Sequence, residues 1–177
     1  MVIVATIRAL KYHGGMEVKE VSKENVEVLE KGMVNLERHI HNITVHFGLP
    51  CIVAINHRTH DTEAELKMLV SRCKVLGVKV VVTKRWADGG KGAVELANIV
   101  VEMCEKPNNF KFVYEENTPL RDKMKAIASK IYGAADITAN SKVRGQINRL
   151  QEAGYGHYPI CAAKTQYSFF TIAWCTQ

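Results

Sequence analysis

The chain lacks most of the features that would place it in a special class. It has only four prolines in 177 residues and no low-complexity stretch, so extended linkers and disordered tails are not expected. Its five cysteines, at 51, 73, 104, 161 and 175, form no CxxC pair and are odd in number. A disulfide framework and a zinc ribbon are both disfavoured, and a reduced, cytoplasmic setting is the expectation. No apolar run reaches membrane-spanning length, and Met1-Val-Ile-Val-Ala carries none of the basic residues that open a secretory signal. No GxxxxGK[ST] segment occurs anywhere, and Gly89-Gly-Lys-Gly92 is too short to be one. There is also no block of one charge: 24 Lys and Arg are interspersed with 18 Asp and Glu, for a net charge of +6. A mixed, solvated surface follows, which argues against nucleic acid as a partner. Anionic small molecules such as nucleotides or polyglutamates remain compatible with it.

What is present is the pattern of an α/β protein. A hydrophobic share of 47% suits a globular chain long enough for one domain, or one with a small appendage. Residues 1–7 read as a buried parallel strand, followed by a polar loop over 8–15. Apolar residues from Val26 to Phe47 recur at spacings of three and four, predicting one long helix over 24–47 with a possible break at Gly32. Gly48 and Pro50 stop it, and residues 51–56 form a short apolar strand ending in Asn56. Thr62 and Glu65 make a capping-box pair, so a helix starts near Asp61, buries Leu66, Leu69, Val70 and Cys73, and ends at Gly77. A strand over 78–83 follows, then a glycine-rich loop with a lone Trp86. A helix from 93 to about 105 comes next, apolar on most faces and therefore expected to be well buried.

Alternating strands and helices with short connections predict a parallel sheet with flanking helices over residues 1–107. A smaller α+β portion over 108–177 is expected to hold a short strand at 110–114, then a helix opened by Thr118-Pro119. That helix should bury Leu120, Met124, Ile127, Ala128 and Ile131. Another helix carries Val143, Ile147 and Leu150, and a strand begins at Tyr158.

In a parallel sheet, ligands sit at the carboxyl ends of the strands. Asn56 to Asp61 and Thr83 to Gly92 lie at two such ends and would line one crevice. Asn56 and Asp61 can offer amide and carboxylate contacts to a flat base, or can form an Asx-type turn that only opens the helix. Trp86 can stack on a planar ligand while Gly89, Gly90 and Gly92 admit its approach, or can be a core residue beside a flexible turn. His39 and His46 are two turns apart on one helix, and His57-x-x-His60-Asp61 lacks further ligands, so no metal site is expected. Cys73 and Cys161 have no nucleophile pattern and are expected to be buried thiols.

Seven blocks in order carry a resemblance. They are Ala5-Thr-Ile-Arg-Ala-Leu-Lys-x-His-Gly-Gly15, Asn35-Leu-Glu-Arg-His-Ile40, Phe47-Gly-x-Pro-x-x-Val-Ala-Ile-Asn56 and Asp61-Thr-Glu-Ala-Glu-Leu66. Trp86-Ala-x-Gly-Gly-x-Gly92, Lys130-Ile-Tyr-Gly-Ala134 and Pro159-Ile-Cys-x-Ala-Lys-Thr-Gln-Tyr-Ser168 complete them. The chain resembles formate–tetrahydrofolate ligase, also called 10-formyltetrahydrofolate synthetase. The resemblance implies a P-loop-type α/β fold and ATP-dependent ligation of formate to tetrahydrofolate through formyl phosphate, a step of one-carbon metabolism. It implies ATP with magnesium and tetrahydrofolate as substrates, no tightly bound cofactor, and homo-oligomers in the intact family.

By the same resemblance Asn56 and Asp61 fall on the adenine side, and Trp86 packs against the folate. Arg58 stands where the family has a second stacking aromatic, and a guanidinium can also stack. The family's phosphate loop lies upstream of the matched blocks. Residues 169–177 form an uncharged, apolar tail unlike the family's polar continuation. The expectation is a fragment without turnover of its own, or a non-catalytic folate-binding or subunit-interaction remnant.

Overall fold

Three parallel strands in the order β1-β2-β3 organise the first part of the chain. They are β1 (Val2–Ala5), β2 (Ile52–Asn56) and β3 (Lys79–Thr83). The computed structural model describes residues 1–84 and 89–162. The polypeptide divides into two units, Met1–Phe110 and one beginning at Lys111. In the sheet Val2 lies opposite Ile52, and Asn56 opposite Thr83. The α/β class with flanking helices is the one read from the pattern.

The strand expected over 1–7 stops at Ala5, because Thr6 caps a helix, its Oγ1 accepting from Ala9 N at 3.2 Å. That helix, α1 (Ile7–His13), occupies most of the segment expected to be a loop. It forms because Ile7, Leu10 and Lys11 fall on one buried face. Helix α2 (Val26–His41) begins at Asn25, whose Oδ1 accepts from Val28 N at 2.9 Å. It continues into a π-helical turn, Asn42–His46. The break considered at Gly32 does not occur. A Cβ there would lie 1.9 Å from the Leu10 carbonyl oxygen, and one at Gly14 would lie 2.0 Å from that of Val28. Gly32 and Gly14 therefore let α1 and α2 touch backbone to backbone.

One face of the sheet, carrying Ala5, Val53 and Ile55, packs on α1, α2 and α3 (Glu63–Val75). Leu29, Met33, Leu36, Leu69 and Cys73 complete that core. The opposite face, carrying Ile52 and Val81, meets Met103, Leu96, Ile99 and Val100 of α4 (Val94–Cys104). Contrary to the expectation from its composition, α4 is not well buried. Met103 is its one buried residue, and Val94 and Val101 are 54% and 63% exposed. A single sheet face contacts one stripe of this helix, and the apolar residues on its other side have no cover among the described residues.

The second unit contains α5 (Leu120–Ala126), a π-helical turn at Ile127–Ile131, α6 (Ser141–Glu152) and a 3-10 turn at Tyr155–His157. The strand expected at 110–114 is not formed, and neither is the one expected from 158 as far as residue 162. Side chains hold these backbones instead of a ladder. Lys123 Nζ donates to the Gly156 and Tyr158 carbonyls at 2.8 and 3.1 Å, and Lys130 Nζ to that of Val113 at 2.6 Å. The Tyr114 hydroxyl accepts from Ile160 N at 2.9 Å. On α5 the buried residues are Leu120 and Lys123, whereas Met124, and Ile127, Ala128 and Ile131 of the π-helical turn, are only half-buried.

Gly32→Ala removes the close approach of α1 and α2. It should destabilise the chain by about 2 kcal/mol in urea unfolding, because overpacking outweighs the gain in helix propensity. An unchanged or raised midpoint would show that the two helices can separate at no cost.

Candidate functional site

The strands' carboxyl ends converge on the loops after β1, β2 and β3. Asn56 is the last residue of β2, half-buried, and paired in register with Thr83 at the end of β3. The two ends are zipped one residue further, where His57 N donates to the Thr83 carbonyl at 3.1 Å. Thr83 is itself buried, its hydroxyl donating to the Ile55 carbonyl at 3.1 Å. Asn56 and Thr83 thus share the sheet face that carries Ile52 and Val81, since residues in register on parallel strands point to one side. Arg58 and Asp61 are joined to each other, Arg58 N donating to Asp61 Oδ2 at 2.7 Å. The backbone closes the same turn, Asp61 N donating to the Arg58 carbonyl at 3.0 Å, and Arg58 is exposed.

Trp86 lies outside the described residues. Gly89, Gly90 and Gly92 lie in the 3-10 turn Gly89–Ala93 that leads into α4. Gly89 has φ +55, a conformation that favours glycine, whereas a Cβ at Gly90 would meet open space. A basic residue stands near each strand end: Arg8 in the first turn of α1, Arg58 after β2 and Lys84 after β3, all exposed. This edge of the sheet is therefore suited to an anionic ligand.

Beneath the β2–α3 loop lies a buried ion pair that the sequence reading missed. Lys11 and Glu65 are 1% and 0% exposed, with Nζ and Oε1 2.7 Å apart. Lys11 Nζ also donates to the Lys23 carbonyl at 2.8 Å. Glu65 Oε1 accepts from Asn25 N at 2.9 Å, and its Oε2 from Thr62 N at 3.3 Å within the capping box. One carboxylate therefore binds the starts of α2 and α3 to α1. Burial alone would raise the Glu65 pKa, but the Lys11 ammonium and the Asn25 and Thr62 amides reverse that and hold it below its ordinary value. The signal was legible in principle: Lys11 and Glu65 each interrupt an otherwise apolar helical stripe, with opposite charges.

The remaining titratable groups are structural in character. Burial lowers the pKa of His39 and of His13, and His13 further lowers that of His39, so both favour the neutral form near pH 7. Burial pushes the Cys51 thiol up and that of Cys73 to about 11, which makes both poor nucleophiles. Cys161, expected to be buried, is exposed, because the segment carrying it is not a core strand. Among the described residues no group of three His, Cys, Asp or Glu is arranged to hold a metal ion. Likewise, no helix among them is long and apolar enough to cross a membrane.

Since the Glu65 carboxyl is depressed, its contribution is present above the unfolded value near 4.5 and is lost as pH falls through the folded value. Glu65→Gln should flatten the fall in stability below that pH, measured by urea unfolding across an acid series. Lys11→Met leaves the carboxylate unpaired and should cost ~3–5 kcal/mol at pH 7, with part recovered in Lys11→Met/Glu65→Leu. Equal losses in the single and double variants would contradict the pairing.

The chain is similar in sequence to known proteins over nearly its whole length. The family model for formate–tetrahydrofolate ligase matches residues 1–173. A formate–tetrahydrofolate ligase of Methylibium petroleiphilum is 58% identical over 175 residues, covering 97% of this chain and 31% of that protein. The Methylobacillus flagellatus protein of the same name is 52% identical over 173 residues, again 97% and 31%. That of Staphylococcus aureus is 47% identical over 169 residues, 96% and 30%. The chain thus spans a little under a third of the curated relatives it matches. Across almost its whole length, this chain belongs to the formate–tetrahydrofolate ligase family.

Proposed function

We propose that this chain supplies part of the substrate crevice of an ATP-dependent formate–tetrahydrofolate ligase. The reaction transfers the terminal phosphoryl group of ATP to formate, giving formyl phosphate and ADP. Attack by N10 of tetrahydrofolate on the formyl carbon then expels phosphate and leaves 10-formyltetrahydrofolate. The observation that carries this reading is the pairing of Asn56 with Thr83 at two adjacent strand ends. The exposed Arg8, Arg58 and Lys84 stand around those ends. Such an edge offers a hydrogen-bonding amide to a flat ring and cations to phosphates and carboxylates.

In this reading Asn56 and Asp61 face the adenine side, while Trp86 and Arg58 contact the folate. Gly89, Gly90 and Gly92 let the backbone come close to the ligand. Asp61 keeps one oxygen for the Arg58 amide, so its role toward the base is to set the loop as much as to touch the ligand. Magnesium enters with the ATP phosphates rather than on a carboxylate cluster of this chain. The intact enzyme acts in the cytoplasm as a homo-oligomer.

The sequence contains no GxxxxGK[ST] loop, whose backbone amides and lysine hold ATP phosphates for transfer. The isolated chain is therefore without turnover. A second reading, a folate-binding remnant without catalysis, is favoured by Arg58 standing where the family has an aromatic.

The test is a graft in which residues 1–168 replace the matching segment of the Methylibium petroleiphilum ligase. The isolated chain should form no 10-formyltetrahydrofolate from ATP, formate and tetrahydrofolate, and the graft should form it. Trp86→Ala in the graft should raise KM for tetrahydrofolate by about tenfold, the cost of one lost stacking contact. Turnover by the isolated chain would refute the argument from the phosphate loop. A folded graft that binds tetrahydrofolate without turnover would favour the second reading.

A further inference from the structure

Two of the cations at the strand ends are carried by elements that the buried Lys11–Glu65 pair ties together. Arg8 stands on α1, three positions before Lys11. Arg58 stands in the loop that runs through Asp61 and Thr62 into α3, and Glu65 lies three positions after Thr62. Each carboxylate here takes the amide three positions before it. Asp61 Oδ2 accepts from Arg58 N at 2.7 Å, and Glu65 Oε2 from Thr62 N at 3.3 Å. A continuous run of bonds therefore leads from the Arg58 backbone through Asp61, Thr62 and Glu65 to Lys11, and along one turn of α1 to Arg8.

The two ends of this run are anchored to different neighbours. Helix α1 is seated on α2 by the close approaches at Gly14 and Gly32, while the loop leaves the sheet at Asn56. Stability alone does not call for a charged pair between them. The core shared by α1, α2 and α3 is apolar, and an apolar pair of similar volume would serve stability as well or better. What an apolar pair cannot do is accept the Asn25 and Thr62 amides, and with them fix where the loop ends.

We infer that Lys11 and Glu65 are positioning residues for ligand binding: by holding α1 to the start of α3 they set the spacing of Arg8 and Arg58, two cations that meet one anionic substrate at the strand ends. Neither member of the pair touches that substrate, since both are sealed from solvent. The inference rests on the substrate crevice proposed above, and adds that the pair controls affinity rather than the chemical step. An interaction that serves ground and transition states alike changes KM and leaves kcat.

The test compares the wild type with Lys11→Met/Glu65→Leu, which removes both charges together and leaves no unpaired ion in the core. In the isolated chain the amides of Arg58 and Asp61 should exchange about tenfold faster in the double variant, while those of Met33 and Leu36 in α2 keep their protection. That arm needs no ligand. In the graft of residues 1–168 into the Methylibium petroleiphilum ligase, KM for tetrahydrofolate should rise about tenfold with kcat changed by less than about twofold. Glu65→Gln keeps one oxygen for Lys11 and Asn25 and should fall between the two. Arg8→Ala should raise KM in the wild-type graft and add little in the double variant, where the spacing is already lost.

Unchanged exchange at Arg58 and Asp61 would overturn the inference, whatever the graft does. So would faster exchange with an unaltered KM, a kcat that falls as far as KM rises, or an Arg8→Ala effect of the same size in both backgrounds. A folded wild-type graft that neither binds tetrahydrofolate nor turns over would instead overturn the crevice reading, and the exchange arm would still decide whether the pair holds the loop.

Discussion

The arrangement of the strand ends depends on one buried carboxylate. Glu65 is neutralised by Lys11 and takes amide hydrogen bonds from the starts of α2 and α3, so one side chain fixes three helices relative to each other. A buried ion pair contributes little net stability over an apolar pair of the same volume. Its value is geometric: an apolar substitute could fill the space but could not set the start of α3 against that of α2. The β2–α3 loop, with Arg58 and Asp61, hangs between β2 and that fixed start. Lys11 and Glu65 are thus positioning residues for the loop.

A second buried cation does similar work in the second unit. Lys123 is fully buried and is held by two carbonyls, with the Tyr114 ring 5.6 Å from its Nζ. The turn at Tyr155–His157 and the segment after it are secured through backbone carbonyls rather than through a sheet. In both units a buried lysine on a helix holds neighbouring backbone through its carbonyls.

The parts of this fold that were legible in sequence are those governed by local rules. The Gly48 and Pro50 stop, the short apolar run to Asn56 and the Thr62–Glu65 capping box gave β2 and α3 closely, because each rests on contacts within a few residues. Helix α1 was missed because seven residues ending in two glycines offer too little periodicity, and because Lys11 looked like a loop residue rather than a core one. The Gly32 break was misjudged for a related reason. A mid-helix glycine reads as weakness until the Leu10 carbonyl beside it is known, and that contact spans 22 residues (32 minus 10). Expected strands at 110–114 and from 158 failed because apolar content alone cannot say whether a partner strand exists. The exposure of α4 was invisible for the opposite reason: its composition describes a buried helix, yet among the described residues only one stripe of it meets the sheet. At the site, residue types at the strand ends could be read, but the bond between Arg58 and Asp61 could be seen only in three dimensions.

Family membership and the strand-end geometry meet in one proposal, that the strand ends after β2 and β3 bind tetrahydrofolate. Calorimetric titration of tetrahydrofolate into the folded, isolated chain tests it most directly. The account predicts a saturable heat with one site per chain, which weakens when Arg58 is replaced by Ala. The absence of any saturable heat from a chain that unfolds cooperatively would contradict it.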